Sequence, residues 1–119
     1  MADATQLETL RDEIRAFVLE RDWRQFHTPK NLATALSVEA AELLEPFQWL
    51  KTGERAELGS AEKIMAIRHE MADVLIYLVR LADELEIDLA AAAVEKLAIN
   101  RKKYPPEKVR GDSRKYSEY

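Results

Sequence analysis

The sequence has no cysteine and only three glycines. Disulfides, zinc sites built on thiolates and thiol nucleophiles are therefore excluded. The glycine-rich P-loop motif G-x-x-x-x-G-K-[ST] is also absent, so any bound phosphate must be held in another way. The N-terminal residues contain no continuous apolar stretch of signal-peptide or membrane-spanning length, and we therefore expect a cytoplasmic protein without a membrane partner.

The charges of the chain are unevenly distributed. The 18 basic and 22 acidic side chains leave a formal net charge of -4, which argues against nucleic-acid polymers as partners. Residues 101–119 hold seven Lys or Arg and three acids, so this segment is +4 and the first 100 residues are -8. An acidic body with a basic tail suits a protein that holds a metal ion beside a polyphosphate, although composition alone favours a solvated terminus. The length fits one domain over residues 1–119, with the basic tail at about 104–119.

Helix-forming residues dominate the chain, and apolar residues recur at three- and four-residue spacing. Thr28 before Pro29, Ser60 and Asp88 are suitable N-cap residues, because their side-chain oxygens can accept orphan backbone N–H groups. The pattern predicts helices over about 5–21, 29–49 with a bend at Pro46, 61–85 and 89–103, and a loop over 51–60. Four helices joined by short loops indicate an all-α four-helix bundle.

Two acidic residues occupy positions in the apolar stripes of the second and third predicted helices. Glu39 falls between Leu36 and Leu43 at helical spacing, and Glu70 interrupts the corresponding stripe of the third helix. An ionised carboxylate that is buried without a partner costs several kcal/mol, so both positions require a compensating cation.

A second acid follows each of these residues after three positions. Glu42 and Asp73 therefore share a helical face with Glu39 and Glu70 respectively, with Cβ atoms about 5–6 Å apart in each pair. Such acids suit a hard divalent ion, since magnesium prefers oxygen ligands and retains waters that a phosphate can replace. Lys96 of the fourth helix is the one evident basic neighbour, and one lysine does not balance four acids.

The spacing of these acids is also compatible with alternatives to a magnesium site. Surface acids with salt-bridge partners are the commoner interpretation of a single pair, and two pairs in apolar stripes leave that interpretation and the metal site evenly balanced. A di-iron carboxylate site requires Glu-x-x-His, and neither His27 nor His69 has a glutamate three residues before it. If the acids hold a metal, Mg²⁺ or Mn²⁺ is therefore the expected ion.

The spacing of Glu39-x-x-Glu42, 27 residues and Glu70-x-x-Asp73 resembles the metal-binding signature of the MazG-like all-α nucleotide pyrophosphohydrolases. Nearly the whole chain takes part in the resemblance, from about residue 7 to residue 118. Five stretches are similar to the dCTP pyrophosphatase branch of that family: ERDWRQFHTPKN (20–31), FQW (47–49), ADVLIYLVRLA (72–82), INRKKYP (99–105) and SRKYSE (113–118).

The resemblance implies a reaction and a set of site residues. The reaction is Mg²⁺-dependent hydrolysis of a deoxynucleoside triphosphate, dCTP or a modified dCTP, to the monophosphate and pyrophosphate, a role compatible with nucleotide pool sanitation. Glu39, Glu42, Glu70 and Asp73 would be the catalytic residues that hold the metal. The residues implied to contact the nucleoside, phosphates or sugar are Trp23, His27, Asn31, Trp49, Tyr77, Lys96, Asn100, Lys103, Arg114, Lys115 and Tyr116.

The resemblance also implies a dimer or tetramer, and we expect a homotetramer. Apolar residues on several sides of the fourth helix, including Val94, Leu97 and Ile99, agree with subunit contacts. Two alternative functions remain: a non-catalytic helical bundle whose acids bind a partner, and a pyrophosphatase for another nucleotide such as dUTP.

Overall fold

The computed structural model describes residues 5–113 and residue 117. Within that part of the chain all regular structure is helical and no strand is present, so the all-α prediction is confirmed. The elements in chain order are α1 (Gln6–Glu20), a 3₁₀ turn (Arg24–Phe26), α2 (Pro29–Leu44), α3 (Arg55–Leu58), α4 (Ala61–Glu84), α5 (Leu89–Lys103) and α6 (Pro106–Val109).

The long helices begin where the sequence predicts. The side chains of Thr28, Ser60 and Asp88 each accept a hydrogen bond from the backbone N–H three residues later, at 3.1, 3.2 and 3.0 Å. Each bond satisfies one of the N–H groups that the first turn of a helix leaves without a partner. Helix starts are therefore encoded locally in this chain.

The end of α2 differs from the prediction. The helix stops at Leu44 rather than continuing through a bend to Trp49. Pro46 has no backbone N–H, so the hydrogen bond that would continue the helical pattern at that position cannot form. The chain instead makes tighter turns, in which the N–H of Phe47 donates to the carbonyl of Leu44 and the N–H of Leu50 donates to that of Phe47, both at 2.9 Å.

The predicted loop over 51–60 contains the short helix α3. The carboxylate of Glu57 in this helix accepts the backbone N–H groups of Lys51, Thr52 and Gly53 at 2.9, 3.0 and 2.9 Å. These bonds lower the pKa of Glu57 to about 2 because they stabilise its ionised form. Gly53 has a φ of +74°, and a Cβ there would lie 2.8 Å from Cδ1 of Phe47. The segment is thus an ordered turn built around one carboxylate.

Helix α4 contacts both α1 and α2. The buried apolar side chains lie on these three helices and are Ile14, Val18, Leu32, Ile67, Val79 and Ala82. Other apolar residues of these helices stay exposed, including Phe17 of α1 and Met71 and Leu75 of α4. The packing of α1, α2 and α4 is what brings the acids of α2 and α4 together.

The chain divides into two compact units, Met1–Glu86 and Ile87–Tyr119. The first contains α1 to α4, and the second contains α5 and α6. Pro106 is the first residue of α6, where the missing N–H of proline costs nothing. No helix between residues 5 and 113 is long and apolar enough to cross a membrane.

Candidate metal centre

The acids singled out in the sequence meet between α2 and α4. Glu39, Glu70 and Asp73 each offer a carboxylate oxygen, and these oxygens all lie within 4.8 Å of one another. Glu39 and Glu70 are half-buried, whereas Asp73 is exposed. The prediction that acids from separate helices share one site therefore holds for these three residues.

Glu42 completes the group through its hydrogen bonds with Glu39 and Glu70. Burial is the main reason why the pKa of Glu39 is raised to about 7, and the hydrogen bond and charge of Glu42 raise it further. Smaller contributions to the pKa of Glu39 come from the charges of Asp73 and Glu70. Without a cation, the fold therefore holds Glu39 partly protonated at neutral pH.

The pKa of Glu70 is raised for the same kinds of reason. Burial contributes most, followed by the charges of Glu42, Asp73 and Glu45. Glu45 was not among the predicted site residues, although it continues the three-residue spacing of Glu39 and Glu42 along the chain. The cluster is thus more acidic than the four-residue signature indicates.

The cluster fits a divalent cation because its carboxylates lack a basic partner among the described residues. One oxygen of Glu39 and one of Glu70 are buried without any hydrogen-bond partner. Within residues 5–113, no lysine or arginine forms an ion pair with Glu39, Glu42, Glu70 or Asp73. Buried charges in proteins are paired or bind metals. Oxygen-only donors of this kind are the set that Mg²⁺ and Mn²⁺ prefer.

The residues implied to shape a nucleoside pocket have varied surroundings. Trp23 is 43% exposed and packs edge-on against Phe17, with ring centroids 5.6 Å apart. The Asn31 side chain donates to the carbonyl of Phe26 at 3.0 Å, and Tyr77 is half-buried on α4. Trp49 is 88% exposed and lies beyond the end of α2.

His27 contacts a residue that no sequence pattern singled out. Nε of Arg80 donates to Nδ1 of His27 at 3.2 Å, and Arg80 is buried. Arg80 also pairs with Glu84 at 2.5 Å and with Asp83 at 3.5 Å. The spacing of four residues between Arg80 and Glu84 was a visible sign of the ion pair, but the contact with His27 depends on tertiary packing.

The remaining implied residues belong to the second unit. Lys96, Asn100 and Lys103 lie on α5, where Lys96 is exposed and the other two are half-buried. The remaining three predicted contacts lie outside the described residues and are Arg114, Lys115 and Tyr116.

Comparisons of the sequence with a family model and with known proteins identify similar proteins. The MazG-like family model matches residues 34–119. The chain is 47% identical over 113 residues to the human protein dCTP pyrophosphatase 1 and 42% identical to the mouse protein of that name. In each case the alignment covers 94% of this chain and 66% of the relative, so the chain spans slightly less than two thirds of the length of these proteins.

A solved structure is similar as well. The crystal structure of a pyrophosphatase from Archaeoglobus fulgidus superposes with a TM-score of 0.79 at 42% sequence identity, covering 88% of this chain and 97% of that one. The chain belongs to the MazG-like family.

Proposed function

We propose that this protein hydrolyses a deoxynucleoside triphosphate to the monophosphate and pyrophosphate with the help of Mg²⁺. The single observation that carries the proposal is the cluster of Glu39, Glu70 and Asp73, with Glu42 close enough to raise the pKa of two of them, in which two buried carboxylate oxygens have no partner. A stable fold does not normally keep unpaired buried acids without a use, because each weakens the protein. A site that binds a cation and, through it, a polyphosphate accounts for them.

Glu39, Glu42, Glu70 and Asp73 would hold the metal. A divalent ion held there would orient the phosphates, offset the charge that develops on them and make the attacking water more acidic. Mg²⁺ is the proposed ion, and Mn²⁺ has the same preference for oxygen ligands.

The chain's own residues supply the proton chemistry. A water molecule attacks the α-phosphorus, the bond from that atom to the oxygen bridging to the β-phosphate breaks, and pyrophosphate departs with the bond electrons. The proton of the water passes to a carboxylate. We assign this role to whichever carboxylate of Glu39 and Glu42 is not fully engaged in holding the metal, because both lie on α2 within the cluster.

The proposed substrate is dCTP or a modified dCTP. Support comes from the names of the human and mouse relatives and from the sequence stretches that resemble the same branch. In this proposal Trp23, His27, Asn31, Trp49 and Tyr77 bind the nucleoside. The proposed contacts with phosphates or sugar are Lys96, Asn100, Lys103, Arg114, Lys115 and Tyr116.

The proposed assembly is a homotetramer of single-domain four-helix bundles in the cytoplasm. Exposed apolar side chains on α4 and α5 support contacts between subunits, among them Met71, Leu75, Val94 and Leu97. Sedimentation equilibrium measures this directly, and a monomer at micromolar concentration would contradict it.

A panel of nucleoside triphosphates tests the activity. With Mg²⁺, the purified protein should release pyrophosphate and monophosphate in equal amounts, fastest from dCTP or 5-modified dCTP. Glu70→Gln should reduce the rate of hydrolysis at least 100-fold, as expected when an electrostatic group of the site is lost. Glu13→Gln, on the exposed side of α1, is the matched control and should retain the rate. Release of orthophosphate alone, or no turnover of any nucleotide, would contradict the proposal. A preference for dUTP would retain the reaction and change its substrate.

A further inference from the structure

Arg80 stands apart from every other charged residue in the described part of the chain because it is buried, at 4% exposure. Its Nη2 donates to Oε1 of Glu84 at 2.5 Å, and its Nη1 lies 3.5 Å from Oδ2 of Asp83. Its Nε donates to Nδ1 of His27 at 3.2 Å. The two acids thus fix the plane of the Arg80 guanidinium, and its Nε–H points at Nδ1 of His27.

The acids that hold Arg80 are themselves held by other elements. Arg15 of α1 binds Asp83 through two hydrogen bonds of 3.0 and 2.5 Å. Arg24 of the 3₁₀ turn donates to Glu84 at 3.2 Å. The network ties α1 and the segment before α2 to one turn of α4, so Arg80 has little freedom to leave His27.

The contact determines which nitrogen of His27 carries the proton. Because Nδ1 accepts a hydrogen bond from a group that cannot lose its proton, the neutral ring is protonated on Nε2. Burial lowers the pKa of His27 most, and the positive charge of Arg80 lowers it further, against a smaller opposite effect of Glu84. Within residues 5–113, Arg80 and Glu84 are the charged groups that affect the pKa of His27. His27 therefore offers one N–H, without a positive charge, at neutral pH.

Arg80, which holds His27, lies on the face of α4 that carries the acidic cluster. Asp73, Tyr77, Arg80 and Glu84 follow one another at spacings of four, three and four residues, which places them on one helical face. The rise from Asp73 to Arg80 is about 10 Å, from about 1.5 Å per residue. An extended nucleoside triphosphate is longer than this, so a substrate held by its phosphates at the acids can reach His27 with its nucleoside.

We infer that Arg80 is a positioning residue, which holds His27 as a neutral Nε2–H donor to an oxygen or nitrogen acceptor of the substrate's nucleoside. The inference rests on the proposed function for the identity of the substrate. The state of His27 itself can be tested without any substrate.

The first test is the ¹⁵N NMR spectrum of the imidazole rings as a function of pH. The chain has two histidines, and His69, exposed on α4, provides the comparison within the same spectrum. In the wild-type protein His27 should show a protonated Nε2 and an unprotonated Nδ1 at pH 7, and it should become charged below its ordinary pKa. In Arg80→Met the pKa should rise and both tautomers should be populated. A wild-type His27 that is protonated on Nδ1, or charged at pH 7, would overturn the inference whatever the protein catalyses.

The second test is kinetic and uses a double-mutant cycle. Arg80→Met should raise KM roughly 3- to 10-fold, the value of one hydrogen bond, and leave kcat within about twofold. In His27→Gln, whose amide N–H₂ replaces the Nε2 donor without needing Arg80, the same substitution should change KM less than about twofold. Arg11→Met, which removes an exposed ion pair with Asp12 on α1 and takes no part in the hydrogen bonds of this network, is the control and should keep KM. Equal effects of Arg80→Met in both backgrounds would refute a role through His27. Absence of turnover with any nucleotide would refute the proposed function and leave the NMR result to decide the state of His27.

Discussion

Replacing Glu39 with glutamine should stabilise the metal-free protein at alkaline pH. Glu39 has a pKa of about 7 in the fold against an ordinary value of 4.5. A group whose pKa is raised by folding stabilises the fold fully below its unfolded pKa, and this contribution is lost as the pH rises through the folded pKa. The wild-type protein should therefore lose stability between pH 4.5 and about 8, and Glu39→Gln should lose less.

The size of the effect follows from the shift in pKa. The full shift corresponds to about 3 kcal/mol, and we expect about 1–2 kcal/mol because Glu39 is only half-buried and shares its surroundings with Glu42. For a chain of this size that raises the melting temperature by about 3–8 °C. Thermal unfolding followed by circular dichroism, with a chelator at pH 5 and pH 8.5 and equal protein concentrations, measures the difference. Glu13→Gln is the control for loss of an exposed charge. A Glu39→Gln variant that is no more stable than wild type at pH 8.5 would refute the argument that this acid is held at an energetic cost.

Three further predictions concern the metal and the turn around Glu57. Mg²⁺ should raise the melting temperature of the wild-type protein, with about 1.4 kcal/mol of added stability for each tenfold excess of Mg²⁺ over its dissociation constant. When melting curves are titrated with Mg²⁺, Asp73→Asn should need at least about tenfold more metal for the same rise in melting temperature. An unchanged titration would remove Asp73 from the site. In urea unfolding, Gly53→Ala should destabilise the fold by about 2–3 kcal/mol, and Gly59→Ala by ~1 kcal/mol. Both glycines have a positive φ, but only at position 53 would a Cβ lie against Phe47. Equal losses of stability would contradict this close approach. Glu57→Gln should speed amide hydrogen exchange of Gly53 about tenfold, since one strong acceptor of its N–H is weakened, and unchanged exchange would show that the turn holds without the carboxylate.

The fold could be predicted from the sequence where local chemistry decides it. Thr28, Ser60 and Asp88 start their helices because each side chain caps its own first turn, which needs no tertiary contact. The predicted end of α2 was wrong because Pro46 was interpreted as a bend within the helix, although a proline lacks the N–H that the helix needs at that point. Helix α3 could not be foreseen, since the carboxylate of Glu57 stabilises that segment only once three amides converge on it.

The candidate site shows the same division between local and tertiary information. Glu39 and Glu70 stood out because each interrupts an apolar stripe, a pattern readable along one helix. Their approach within 4.8 Å requires α2 to pack on α4, and that packing also brings Arg80 to His27, two residues 53 positions apart. The contact between Arg80 and His27 has no signature in a single helix, because the histidine lies elsewhere in the chain.

The most direct test of the account is the binding of Mn²⁺ measured by electron paramagnetic resonance, because the signal of free Mn²⁺ decreases as the ion binds. Wild-type protein and Glu13→Gln should bind Mn²⁺ with the same affinity, and excess Mg²⁺ should displace it. The double variant Glu39→Gln with Glu70→Gln should lose this binding while keeping its helical circular dichroism spectrum. If the double variant binds Mn²⁺ as tightly as the wild-type protein, the acids between α2 and α4 are not a metal centre.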